Sequence, residues 1–186
     1  RITLTPEEEK IVNSGDYVRK QVENDKQGSG AVVFRVDAPP SVVWSVIRDF
    51  PSYPKWIKTL SECEVYRKKD DRINVRFVLS TWGQRIEYFI THKYPASENW
   101  GTWTLDYSKN SDLDDSVGYW RVTPWPNDPN KSRVEYSVGI AIKGWIPGFI
   151  KSYIVNKGLS EATEWVREQS IAKNKTLVNG TAVSKL

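Results

Sequence analysis

The sequence predicts an α+β domain: a curved antiparallel sheet of six to seven or more strands wrapped around one long C-terminal helix. Three observations carry this. After Thr59 the apolar period changes from about 3.6 to 2 and holds through six strand-length segments. Turn clusters such as Trp82-Gly83 and Asn127-Asp128-Pro129-Asn130 separate some of these segments, and no helix can be fitted between them, so they form a meander. A single long amphipathic stretch, Pro147 to about Ile171, then follows and must cover one face of the sheet.

Each element has its local reason. Thr5-Pro6-Glu7-Glu8 is a helix start with a cap, a proline at the first helical position and a capping box. That helix stops near Gly15. Asp16 to Asn24 reads as a strand, Asp25 to Gly30 as a turn, and Ala31 to Asp37 as a second strand rich in Val and Phe. Ala38-Pro39-Pro40 breaks that strand and opens a helix with Val43, Ile47 and Phe50 at helical spacing. Pro51 and Pro54 end it, in a connection carrying Tyr53, Trp56 and Ile57. The meander strands are expected at 61–68, 72–80, 84–93, 100–107, 117–123 and 132–143. In the last helix Val155, Leu159, Ala162 and Val166 form the apolar stripe, with Glu161, Glu164, Arg167 and Glu168 on the wet side. The stretch after Lys173 shows no periodicity and is expected to be frayed or disordered.

Composition narrows the chemistry. A domain of 186 residues can form a sizeable core, burying about 70% of its unfolded surface. It carries 9 Trp, 9 Tyr and 5 Phe, but 1 His, 1 Cys and no Met. One Cys excludes an internal disulfide and a four-cysteine zinc site, and one His leaves room for one His-based constellation at most. No metal or cofactor is expected. The net charge of +4 comes from 27 basic residues scattered among 23 acidic ones, with no dense basic stripe, so nucleic acid is not an expected partner. No apolar run reaches the roughly 18 residues of a membrane-spanning helix.

Twisted strands curl, and a helix across their concave face can close an apolar cavity. Alternation puts Val75, Phe77 and Leu79 on one face, then Ile86, Tyr88 and Ile90, and in the last strand Val134, Tyr136, Val138, Ile140 and Ile142. Such residues make either a solid core or the wall of a ligand cavity. The aromatic excess favours the second, because Trp and Tyr combine a large apolar body with one polar handle.

The segment Val36-Asp37-Ala38-Pro39-Pro40-Ser41-Val42-Val43-Trp44, followed by Asp49-Phe50-Pro51-Ser52-Tyr53-Pro54-Lys55-Trp56, resembles the opening of the START-like superfamily, also called the SRPBCC, helix-grip or birch-pollen-allergen fold. Leu105-Asp106-Tyr107, Gly118-Tyr119-Trp120-Arg121 and Lys143-Gly144-Trp145-Ile146-Pro147 are similar to bacterial START-like and polyketide-cyclase-like members. The resemblance covers roughly residues 31 to 170 and is specific for fold rather than for ligand. With the local signals at the two ends, the expected division is residues 1–30 as an N-terminal helix and extra strand packed on the domain, 31–172 as the START-like helix-grip domain and 173–186 as a flexible polar tail. The resemblance implies an apolar cavity for a lipid, sterol, isoprenoid or polyketide, which members carry or, less often, cyclise or hydrolyse.

The expected function is therefore binding and transfer of a lipid-like hydrophobic ligand by a monomer. The alternative is a cyclase/aromatase-like or hydrolytic enzyme in the same cavity, and a third reading is a ligand-triggered interaction module. The ligand-binding residues expected are Val75, Phe77, Leu79, Tyr88, Ile90, Trp103, Trp120, Tyr136, Val138, Ile140, Ile154 and Leu159. Catalysis finds weaker support. His92 is expected at a strand end on the rim, Cys63 as a small buried hydrophobe, and Asp112, Asp114 and Asp115 in a solvated loop. Arg48, Arg76 and Arg121 are candidates to polarise a carbonyl.

Trp145, Ile146 and Phe149, framed by Lys143 and Lys151, stand at the last strand-to-helix junction. The run suits a gate in transient contact with an anionic membrane surface, and equally a plug in the core; both readings stay open. The chain starts at Arg1. Removal of a signal peptide implies a periplasmic or secreted protein, and its absence a cytoplasmic one. Ser184-Lys185-Leu186 matches a peroxisomal address in form.

Overall fold

The structure, a computed structural model, describes residues 1–23, 27–81, 83–142, 144 and 148–183, with the side chains of 22–23, 148–156 and 182–183 outside that description. Helix α1 (Pro6–Asn13) starts at a Thr5 cap: the Glu8 amide donates to Thr5 Oγ1 at 3.2 Å, and the Thr5 amide donates to the Glu8 carboxylate at 2.8 Å. Strand β1 (Val18–Glu23) pairs with β2 (Gln27–Val36). β2 begins in the segment expected as a turn. Gln27 to Gly30 lack an apolar signal but are held extended by pairing with β1 on one side and the last strand on the other.

Helix α2 (Pro40–Ile47) buries Val42, Val43, Trp44, Val46 and Ile47. A 3₁₀ turn at Phe50–Ser52 and the short helix α3 (Tyr53–Trp56) then bury Phe50 and Tyr53. The meander follows as β3 (Leu60–Lys69), β4 (Arg72–Thr81), β5 (Gln84–Lys93), β6 (Trp100–Leu105), β7 (Leu113–Trp125) and β8 (Asp128–Ile142). Asp70 (φ 54°) and Asn127 (φ 62°) take the left-handed conformation at the β3–β4 and β7–β8 turns, which short polar side chains tolerate.

All neighbours in the eight-stranded sheet are antiparallel, in the order β1-β2-β8-β7-β6-β5-β4-β3. The β2–β8 pairing, from Gln27↔Ala141 to Val36↔Ser132, joins the N-terminal strands to the end of the meander. Helix α4 (Gly148–Val183) closes the concave side and sets Leu159, Trp165 and Val166 into one core with Val32, Phe34, Val43, Val46 and Ile47. This is the helix-grip arrangement that the resemblance implies. The expected helix end near Ile171 is corrected, because α4 continues to Val183. Leu177 and Val178 on this last part are exposed, so no buried stripe announces it, and the Thr176 and Thr181 hydroxyls donate to the carbonyls four residues back.

The N-terminal segment lies on the opposite, convex face. Val12 of α1, Val18 of β1 and Val33 of β2 form a second small core, with Ile2, Leu4 and Trp125 against it. Arg133 of β8, 5% exposed, donates to both Glu9 carboxylate oxygens (2.9 and 3.1 Å) and to Glu135 at 3.3 Å.

Candidate ligand-binding site

The ladder registers place the predicted site residues on the concave face in successive rungs. One rung runs Val32, Tyr136, Trp120, Gly101 across β2, β8, β7 and β6. The next runs Gly30, Val138, Gly118, Trp103, His92, Ile73 from β2 to β4. Leu105, Ile90 and Val75 share a third rung, with Ile140 and Ser116 level with it on β8 and β7. Beyond it stand Tyr88, Phe77 and Cys63, and then Ile86, Leu79 and Leu60.

This face has two different ends. At the first two rungs, aromatic rings meet in a closed circuit through four parts of the chain. The centroid separations are Trp165–Tyr53 4.6 Å, Tyr53–Phe50 5.1 Å, Phe50–His92 4.8 Å and His92–Trp103 6.4 Å. The circuit returns through Trp103–Tyr136 5.6 Å, Tyr136–Trp120 4.6 Å and Trp120–Trp165 6.4 Å. Such tilted contacts suit the ring quadrupoles. Tyr94 lies flat over Gly101, where a Cβ would come within 2.3 Å of its ring, so only glycine admits it there.

Among the described residues, the other end is less completely covered. Leu79, Tyr88 and Val138 pack on the core but are only half-buried, and Ile86 and Ile140 are half-buried too. β2 shows the same gradient. A Cβ on Gly30 would strike Leu159 at 2.6 Å, whereas one on Gly28, two residues along, would meet no described residue within 4 Å.

Of the predicted residues, Trp103, Trp120, Tyr136 and Leu159 belong to the closed floor, Val75, Ile90 and Phe77 are buried on the rungs beyond it, and Leu79, Tyr88, Val138 and Ile140 form the half-open wall. Ile154 falls on α4 with its side chain outside the described residues, as do Phe149 and Lys151. Trp145, Ile146 and Lys143 lie outside the described residues altogether. Sequence reasoning missed Phe50, Tyr53, Tyr94 and Trp165 as parts of the floor. Trp165 adjoins Val166 of the predicted stripe, and that position was its one available signal.

His92 corrects an expectation: it is 5% exposed and belongs to the inner face, not the rim. Its Nδ1 lies 3.3 Å from the Ile73 carbonyl, and burial drives its pKa down to about 3, so the ring is neutral near pH 7. Burial pushes the Tyr88, Tyr94 and Tyr136 phenols well above their ordinary value. The Cys63 thiol, half-buried, is pushed up to about 12 by the same cause.

The charged candidates lie elsewhere. Arg76 alternates to the convex face and pairs with Glu62 and Glu87, each at 2.6 Å. Arg121 stands opposite Glu135 on that same face. Arg48 lies 5.2 Å over the Trp44 ring and donates to the Pro95 carbonyl at 3.1 Å. Asp114 and Asp115 belong to β7 rather than to a loop. Asp112 accepts the Glu87 amide and Asp115 the Tyr107 hydroxyl, both at 2.8 Å.

A family model described as polyketide cyclase / dehydrase and lipid transport matches residues 36–164. No curated protein matches the chain in sequence. Among solved structures, a STAR-related lipid transfer protein from Xanthomonas axonopodis is similar over 82% of this chain and 98% of its own, at TM-score 0.63 and 15% identity. A START superfamily protein from Mycobacterium smegmatis is similar over 87% and 98%, at TM-score 0.60 and 18% identity. An aromatase/cyclase from Streptomyces sp. R1128 is similar over 88% and 93%, at TM-score 0.55 and 12% identity. At these identities the likeness is one of fold.

Proposed function

The chain belongs to the polyketide cyclase / dehydrase and lipid transport family, and on that premise we propose that it binds and carries a lipid-like hydrophobic ligand against the concave face of its sheet. One observation carries the reading: the half-open wall of Leu79, Ile86, Tyr88, Val138 and Ile140 beside the closed aromatic floor. An apolar surface left partly uncovered on the inside of a sheet is completed by an apolar guest. The side chains named on that face are uncharged, and the titratable ones among them stay neutral near pH 7. This favours holding a molecule over moving its protons. The lipid transfer protein from Xanthomonas sharing the fold agrees with a carrier, and the Streptomyces aromatase/cyclase keeps cyclisation as the alternative.

Native mass spectrometry of the purified protein, with solvent extraction of what it holds, tests this. A co-purifying apolar molecule is the expected result. Ile140→Trp, placed between the small residues Gly28 and Ser116, should lower its occupancy with the fold retained. Full occupancy in that variant would place the guest elsewhere. The transfer step extends the proposal to the run Trp145, Ile146 and Phe149 with Lys143 and Lys151. Replacing Trp145 and Phe149 by Ala should abolish sedimentation with anionic vesicles and leave the far-ultraviolet spectrum unchanged; undiminished sedimentation refutes the membrane role.

A further inference from the structure

Three polar groups in the closed floor have no use in holding the fold together. The Tyr94 and Tyr136 hydroxyls are not hydrogen-bonded by any described residue, although the residues are 4% and 8% exposed. The Tyr53 hydroxyl beside them is satisfied, donating to the Ile47 carbonyl. His92 supplies the third group. A carbonyl can only accept, so the proton of its Nδ1···Ile73 bond sits on Nδ1. That fixes the tautomer and leaves Nε2 a lone pair with no partner among the described residues.

These groups lie together. The Tyr136 phenol acts electrostatically on Tyr94, and both act on Tyr53. The Tyr94 and His92 rings are 5.1 Å apart, and Trp103 touches both His92 and Tyr136. None of the three is among the described side-chain atoms sealed from solvent without a partner, which are Trp44 Nε1, Arg48 Nε, Arg167 Nη2 and Ser170 Oγ, so a guest can reach them. A cluster of two donors that also accept, and one obligate acceptor, on an uncharged aromatic floor describes its missing partner.

We propose that Tyr94, Tyr136 and His92 form a polar subsite that takes the hydroxyl of a neutral, otherwise apolar alcohol. This rests on the reading of the concave face as a ligand site and names the class of ligand. The ligand O–H donates to His92 Nε2, and its oxygen lone pairs accept from the two phenols. An ether lacks the proton for His92. A carboxylate brings a charge whose nearest cation, Arg48, acts on the Tyr94 phenol but is turned to the Trp44 ring and the Pro95 carbonyl. An alkane leaves all three groups unpaired.

The test compares 1-dodecanol, dodecyl methyl ether, dodecane and dodecanoate as probes of the full chain and of Tyr136→Phe and Tyr94→Phe. Binding is followed by tryptophan fluorescence and native mass spectrometry. In the wild type the alcohol should bind about tenfold or more tighter than its methyl ether, the loss of one well-placed hydrogen bond in a dry site. In either Phe variant the affinity for the alcohol should fall about tenfold and that for dodecane should not. Circular dichroism confirms folding, since each variant removes one oxygen and keeps the ring. Equal binding of alcohol, ether and alkane overturns the subsite and leaves the apolar site standing. Tightest binding of dodecanoate overturns the neutral class. No binding by any probe overturns the apolar site and the subsite with it.

Discussion

Gly118→Ala is the sharpest single perturbation of the aromatic floor. Gly118 stands on β7 between Val138 of β8 and Trp103 of β6. A Cβ there would lie 2.2 Å from Trp103 Cζ2 and 2.3 Å from the Ser137 carbonyl oxygen. The indole can swing away, but the carbonyl belongs to the β7–β8 ladder and cannot move without opening it. Overpacking a finished core costs about 1–3 kcal/mol, and two contacts this short put the change at the upper end. Displacing Trp103 also forfeits the bond from its Nε1 to Ser116 Oγ at 3.3 Å, about 1 kcal/mol more. A total near 4 kcal/mol lowers the melting temperature of a domain this size by roughly 8–16 °C. Gly139→Ala is the control. It lies on the neighbouring strand facing the other way, and its Cβ would meet only Val117 Cγ2 at an ordinary 3.5 Å. It should stay within about 1 kcal/mol of wild type, or gain slightly by stiffening the unfolded chain. Urea unfolding followed by tryptophan fluorescence gives both numbers. A Gly118→Ala protein within about 1 kcal/mol of wild type would refute the packing argument, as would a Gly139→Ala protein that loses as much.

Two further outcomes follow from buried polar groups. His92 titrates near 6.5 when unfolded and at about 3 when folded. Between those values the unfolded state binds the extra proton, so stability falls as pH falls, by up to about 1.4 kcal/mol per pH unit. It is fully present above pH 6.5. Carboxylates held low by their partners, such as Glu62 and Glu87, add an acid slope of the same sign. The difference between wild type and His92→Phe isolates the histidine, and urea midpoints at pH 7, 5.5 and 4 should show a shallower slope in the variant; parallel slopes refute the buried neutral ring. On the convex face, Glu9→Ala leaves the buried Arg133 with Glu135 alone. It should cost about 1–3 kcal/mol, read from thermal melts, and a neutral change would mean that α1 does not clasp the sheet.

Period-2 alternation carries more of the site than a residue-by-residue reading takes from it. It orders Val75, Phe77 and Leu79 inward, and by the same rule sends Arg76 to the convex face, where it meets Glu62 and Glu87. Trp120 and Val122 likewise exclude Arg121 from the interior. Continued from Ile86, Tyr88 and Ile90, the alternation brings His92 inside, although its neighbours Lys93 and Pro95 suggest a rim. The helix beyond Ile171 escaped because hydrophobic periodicity reports burial, and this stretch buries no stripe; a helix already nucleated and packed through Leu159 and Val166 propagates cheaply through exposed residues. The aromatic circuit was beyond reach for a different reason. Trp165, Tyr53 and Trp120 lie on three elements far apart in sequence, and their meeting depends on β2 pairing with β8 and so setting where α4 crosses the sheet. Local patterns assign faces; only the closed topology decides which faces meet. The polar subsite belongs to that second kind of information, because a tyrosine on an inward face becomes an unpaired donor only once every neighbour that might satisfy it has been placed.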